Sequence, residues 1–75
     1  MDKEQILNRL EELEKERAEI VAEQAAIDHV RSLVMSNESS RADEIGHSLA
    51  RRQQALDARK DAWEAEVSYI ERLVA

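Results

Sequence analysis

The 75-residue chain contains no cysteine, no proline and no phenylalanine, and it has one glycine, one tryptophan and one tyrosine. The lack of cysteine excludes disulfide bonds and thiolate metal sites and is typical of a reducing compartment, so we expect a cytoplasmic protein. Apolar runs are only a few residues long, and we expect neither a membrane span nor a secretory signal. The chain opens with Met1 and polar residues, as we expect of a complete small gene product.

What the chain does contain favours long helices. Charged residues make up 37% of it, and alanine, leucine, glutamine and glutamate are frequent, which is typical of helices rather than strands. At 75 residues the chain is one unit, near the size at which a single core is marginally stable. We therefore expect a single domain, residues 1–75, that gains stability from a partner.

Apolar residues recur every seven positions on both sides of a serine-rich segment, residues 36–40. The two series are Ile6, Leu13, Ile20, Ile27 and Val34, then Ala42, Leu49, Leu56, Trp63 and Ile70. This spacing predicts two helices, over about residues 2–35 and 41–74, joined by a turn at about residues 36–40. A turn centred near Glu38 brings together residues whose numbers sum to about 76. The sequence therefore predicts an all-α fold, an antiparallel two-helix hairpin of coiled-coil type.

The apolar seam predicted between the helices has twelve members. They are Ile6, Leu10, Leu13, Ile20, Ile27, Val34, Ile45, Leu49, Leu56, Trp63, Ile70 and Leu73. Alternating steps of three and four also place polar residues on the seam, in mixed layers of Leu10 with Glu66, Arg17 with Arg59, Gln24 with Arg52, and Arg31 with Ile45. A two-helix seam accommodates arginine because its stem covers apolar surface while the guanidinium stays in water.

Helix ends and one interior position carry further local signals. Asp2 can cap the first helix, and Glu4 lies at the positive end of the helix dipole. Ser40 and Asp43 form a candidate capping box for the second helix. Gly46 costs about 1 kcal/mol relative to alanine inside a helix, which indicates local bending or a close neighbour.

Apolar residues outside the seam are candidates for contact with a partner or a second copy. They are Leu7, Val21, Val30, Leu33, Val67, Tyr69 and Val74. Tyr69 is the best candidate for a binding hot spot, whereas Trp63 is interpreted as a core anchor. Alanines at helical spacing, Ala18, Ala22 and Ala25 with Ala55, Ala58, Ala62 and Ala65, are either exposed helix formers or faces of an antiparallel dimer. We expect the hairpin to dimerise into a four-helix arrangement.

We expect no catalytic, cofactor-binding or metal-binding residues. The chain lacks a phosphate loop and any nucleophile with supporting residues, so we expect a protein that is not an enzyme. His29 and His47 lack metal-ligand spacing and are interpreted as surface residues, although they face each other across the predicted hairpin.

The net charge of −6 is unevenly distributed. Residues 1–38 hold ten acids and five bases, whereas residues 39–75 hold seven acids and six bases. The acidic run Glu11, Glu12, Glu14, Glu16, Glu19 and Glu23 either imitates nucleic-acid phosphates or forms helix pairs such as Glu11 with Lys15.

Basic residues concentrate in the second helix as Arg51, Arg52, Arg59 and Lys60, beside Arg41. A dimerising hairpin with such a cluster resembles, in architecture, the Rop family of plasmid copy-number proteins, and this resemblance implies binding to RNA or DNA. Ion pairs of these bases with Glu16, Glu23, Asp57 and Asp61 are the other interpretation.

The function that the sequence favours is a small non-enzymatic interaction module that presents helix faces to a protein partner. An inhibitor, an adaptor or a chaperone, encoded by a phage or a mobile element, fits this prediction equally well. The alternative is a Rop-like dimer that regulates RNA or DNA, and a third option is a coiled-coil segment of a larger assembly. We expect no small-molecule and no membrane partner.

Overall fold

The computed structural model describes residues 2–36 and 42–75 as two long helices. Helix α1 spans Lys3–Ser36 and helix α2 spans Ala42–Val74, and these residues contain no strand. The Cα radius of gyration of 17.0 Å exceeds the roughly 11 Å of a globular chain of this length, because the two helices form one elongated layer. The predicted all-α hairpin is confirmed, whereas the predicted turn and the Ser40 cap lie outside the described residues.

The start of α1 is held by reciprocal hydrogen bonds between Asp2 and Gln5. The Gln5 backbone N–H donates to Asp2 Oδ1 over 2.8 Å, and the Asp2 N–H donates to Gln5 Oε1 over 3.2 Å. These bonds satisfy donors that have no partner within the helix, which confirms the predicted Asp2 cap. Glu4 lies in the first turn of α1, where its negative charge interacts favourably with the positive end of the helix dipole.

The core is a single row of apolar side chains along the inner faces of both helices. Its buried members are Leu13, Ile20, Ile27, Leu49, Leu56 and Ile70. Five more of the predicted seam residues are half-buried, namely Ile6, Leu10, Val34, Ile45 and Trp63. Within the described residues every buried side chain is apolar, so the helices are held mainly by the hydrophobic effect.

Leu73 does not lie in the core, although the spacing places it on the seam. Its side chain is 45% exposed. In this register it lies level with Lys3, the first residue of α1, so no apolar side chain of α1 remains to cover it.

The register follows the predicted sum of about 76. The Trp63 indole Nε1 donates to the Leu13 backbone carbonyl over 2.7 Å, which places these two residues together as predicted. Gln24 bonds to Gln53, and Arg52 bonds to Glu23. The residue numbers of the first pair sum to one more than 76, and those of the second pair to one less.

The mixed layers differ from the prediction because α1 is rotated about its own axis. Arg9, Glu16, Glu23 and Val30 face α2 on one side of the apolar row. On the other side Leu10 and Gln24 are half-buried, whereas Arg17 and Arg31 are exposed. Glu66 therefore meets Arg9 rather than Leu10. Arg59 meets Glu16 rather than Arg17. The rotation is favourable because it replaces a layer of two like charges with a pair of opposite charges.

Gly46 lies inside α2 with ordinary helical geometry. Its φ is not positive, and a Cβ built on it meets no atom within 4 Å. The close neighbour that a glycine indicates here is therefore not found among the described residues.

Neither helix, in the part of the chain that the structure describes, has an apolar stretch sufficient to cross a membrane.

Candidate interaction surfaces

One side of the apolar row, here called the ionic flank, is lined by arginines of one helix bound to glutamates of the other. Arg9 Nε donates to Glu66 Oε1 over 3.0 Å, and its Nη2 contacts the second carboxylate oxygen. Arg59 donates to Glu16 over 3.4 Å and to Glu19 over 2.5 Å. Arg52, the third arginine of this flank, bonds to its own partner on α1. Charges of opposite sign thus cover the seam along most of this side.

Hydrogen bonding raises the pKa of two of these arginines above the ordinary value. The bond to Glu66, and then that to Glu12, raises the pKa of Arg9. The bond to Glu19, with a smaller contribution from Glu16, raises the pKa of Arg59. An arginine guanidinium is positive at physiological pH even without such a shift, so the ionic flank does not switch with pH through its arginines.

The other side of the apolar row, here called the amide flank, is closed at its centre by two glutamines. Gln24 Nε2 donates to Gln53 Oε1 over 2.9 Å, and Gln53 Nε2 donates to Gln24 Oε1 over 2.8 Å. Each amide also donates to an aspartate of its own helix four residues on, Asp28 over 3.1 Å and Asp57 over 2.9 Å. The network is fully paired, and it orders both side chains across the seam.

Five of the seven predicted contact residues are exposed, and two are not. Leu7, Val21, Leu33, Tyr69 and Val74 are each at least half exposed. Val30 packs against the core cluster, and Val67 is half-buried, so these two contribute to the hairpin itself. Met35, at 81%, is the most exposed of the large apolar residues, and the spacing argument did not select it.

The open end of the hairpin gathers exposed apolar side chains in the last turns of α2. Tyr69 is 51% exposed and lies about one helical turn before Leu73, and Val74 is the last residue of the helix. We call these three residues the end patch. The alanine faces of both helices are also exposed.

The basic residues of α2 do not form one free cationic surface. Arg52 and Arg59 are engaged by glutamates of α1. Arg51 and Lys60 are exposed and form no ion pair within the described residues. Arg41 lies outside the described residues.

The acidic run of α1 is largely occupied by arginines. Glu12 pairs with Arg9, and Glu14 pairs with Arg17. Glu16, Glu19 and Glu23 pair across the ionic flank. Glu11 forms no ion pair with Lys15, contrary to the helix pair expected from their spacing. Most of these carboxylates therefore already have a cationic partner.

His29 and His47 are both exposed. Among the described residues no three His, Cys, Asp or Glu side chains converge as metal ligands would.

The described residues form shallow depressions, each lined by few side chains. A depression on α2 is lined by Glu44, His47, Ala50, Arg51 and Gln54. A smaller one beside the ionic flank is lined by Glu23, Arg52, Ala55, Leu56 and Arg59. Two helices in one layer do not surround a ligand on all sides.

Comparison of the chain with protein-family models, with curated proteins and with solved structures finds no match.

Proposed function

We propose that the protein is a small non-enzymatic binding protein that self-associates through helix faces and presents its end patch to another protein. The observation that supports this most directly is the ratio of exposed to buried apolar side chains. Among the residues that the structure describes, seven large apolar side chains are 45% or more exposed and six are buried. Where exposed apolar residues lie close together on the surface of a protein, they mark an interaction site.

Self-association is supported by the small size of the core. A single row of six buried side chains is little for a chain of 75 residues, and small scaffolds usually need an added source of stability. Without cysteine the chain has no disulfides, so dimerisation into a four-helix arrangement is the source that we propose.

The end patch is the surface that we assign to the second protein. Tyr69 combines a large apolar ring with a hydroxyl, which is typical of binding hot spots. Leu73, four residues on, extends the apolar surface of Tyr69, and the exposed Val74 lies beside it at the end of α2. An inhibitor, an adaptor and a chaperone each use such a surface.

Binding to RNA or DNA is the less favoured function. Phosphate binding needs free lysine and arginine side chains, but Arg52 and Arg59 are held by carboxylates of α1.

Affinity capture from cells of the source organism tests the proposal. Tagged unaltered protein and the Glu71→Ala variant, whose substituted residue is exposed in the same turns, should retain the same protein partner. Tyr69→Ala and Leu73→Ala should lose it. Equal recovery of that partner by all four proteins would contradict the role of the end patch, and nuclease-sensitive recovery would favour the nucleic-acid alternative.

A further inference from the structure

Three of the exposed apolar residues lie on one row of α1. Leu7, Val21 and Met35 are spaced by fourteen residues, so in a helix of this type they face the same direction. This row borders the amide flank. Val21 lies one turn before Gln24, and Leu7 lies one turn before Leu10, which belongs to the same seven-residue row as Gln24. No described residue of α2 covers Val21, which is 60% exposed at the centre of α1.

Charged residues occupy the intervals between these apolar residues in a repeated order. Glu14 pairs with Arg17 over 3.9 Å, and Asp28 pairs with Arg31 over 3.5 Å. Both are pairs within α1, and all four side chains are exposed. Along the helix the face thus reads acid then base, twice, on either side of Val21.

We propose that this face of α1 binds the same face of a second copy, with the two α1 helices antiparallel and a two-fold axis between residues 22 and 23. Residues whose numbers sum to about 45 then face each other. Arg17 faces Asp28 of the second copy, Glu14 faces Arg31, and the two-fold axis repeats both contacts. This inference rests on the self-association proposed above and assigns its surface and register.

Apolar residues meet in the same register. Val21 lies against Gln24 and Val21 of the second copy, beside the axis. Met35 of one copy lies between Leu7 and Leu10 of the other. The exposed apolar row is thereby covered at the centre and at both ends, and four ion pairs lie in the two intervals.

Other pairings of this face with itself bring like charges together. An axis through Val21 places Glu14 opposite Asp28 of the second copy. A parallel pairing in register places each charge opposite itself. Like charges facing each other are unfavourable, so the order of charges selects the antiparallel arrangement with its axis between residues 22 and 23.

Two complementary charge swaps test the register. The first variant is Glu14→Arg with Arg17→Glu, and the second is Asp28→Arg with Arg31→Glu. Each keeps the ion pair within the helix, and neither changes the net charge. Alone, each variant places like charges opposite each other at four positions of the dimer, and we expect its dissociation constant to rise at least about tenfold. Mixed, the two variants match at all four positions and should form a heterodimer as tight as the native dimer.

Sedimentation equilibrium, with a tag on one variant, measures these associations. Native-like association of either variant alone, or no gain on mixing, would overturn the proposed face. If the unaltered chain itself does not associate, the self-association of the proposed function is contradicted. That outcome is distinguishable from the failure of the proposed face, in which the unaltered chain associates.

Single cysteines give a second measurement that does not depend on the charge swaps. The chain has no cysteine of its own, so each introduced thiol is unique. Val21→Cys should form a disulfide-linked dimer on mild oxidation, because the two positions lie within a helical turn of each other. Leu7→Cys should not, because the two copies of residue 7 lie roughly 45 Å apart along the antiparallel helices. Efficient crosslinking at position 7 and none at position 21 would refute the antiparallel register.

Discussion

The two flanks of the apolar row differ in how they are covered. On the ionic flank, arginines and glutamates of opposite helices pair along most of the seam. On the amide flank Gln24 and Gln53 close the centre and Leu10 and Val67 are half-buried, but the adjacent row of α1 leaves Val21 uncovered. The hairpin thus covers one side of its apolar row with its own charge pairs, and on the other side it leaves Val21 exposed, where we propose that a second copy binds.

The largest change in the free energy of unfolding is expected from a substitution in the apolar row that lies between the two flanks. Ile27→Ala removes a side chain with no exposed surface, so we expect a loss of about 2–4 kcal/mol in the free energy of unfolding. Val74→Ala, at an exposed position near the end of α2, should change that free energy by less than about 0.5 kcal/mol. Urea denaturation followed by circular dichroism measures both, and equal losses would contradict the assigned core.

A smaller loss of stability is expected when the hydrogen bond between Trp63 and the Leu13 carbonyl is removed. This bond joins the two helices at the apolar row that separates the flanks. Trp63→Phe removes the indole donor to the Leu13 carbonyl and leaves a smaller ring, so we expect a loss of about 1–2 kcal/mol. Tyr69→Phe is the aromatic control, and it should stay within about 0.5 kcal/mol because Tyr69 is exposed. Chemical denaturation in parallel compares the two, and a native-like Trp63→Phe would show that this bond does not stabilise the register.

Neighbouring residues allow the two flanks to be compared directly. Double-mutant cycles to alanine measure the coupling of Gln24 with Gln53 and of Glu23 with Arg52, which are adjacent in both helices. We expect about 1 kcal/mol for the reciprocal amide pair and less than about 0.5 kcal/mol for the exposed ion pair at 3.4 Å. Added salt should weaken only the ion-pair coupling. A larger, salt-sensitive coupling on the ionic flank would reverse the comparison.

The smallest effect is a gain in stability. Gly46 belongs to the same row of α2 as Gln53 and has open space where a Cβ would lie. Gly46→Ala should therefore raise the thermal midpoint, with a gain of about 0.5–1 kcal/mol from helix propensity. Destabilisation would reveal a neighbour packed on Gly46, which would contradict the assignment of the dimer contact to α1.

The seven-residue spacing was sufficient to predict the fold and its register. Leu13, Ile20 and Ile27 are buried because a repeat of seven keeps them on one side of the helix, and Leu49 and Leu56 follow the same rule in α2. The sum of about 76 followed from the position of the turn between the two repeats.

The rotation of α1 was not predicted, because only one row of each helix is consistently apolar. The rows on either side of it are both mixed, so hydrophobicity alone does not choose between Glu16 and Arg17 as the neighbour of Arg59. The charges of the facing residues carried the information about this rotation. Residues summing to about 75 pair acids with bases, whereas the predicted layer paired Arg17 with Arg59. Met35 was not among the predicted contact residues, although Leu33 in the same last turn of α1 was.

The most direct test of the account is sedimentation equilibrium of the unaltered protein from nanomolar to high micromolar concentration, with helicity followed in the same samples. The account predicts a species of twice the 8.6 kDa chain mass, which dissociates and loses helicity on dilution. A stable and fully helical monomer over the whole range would contradict it.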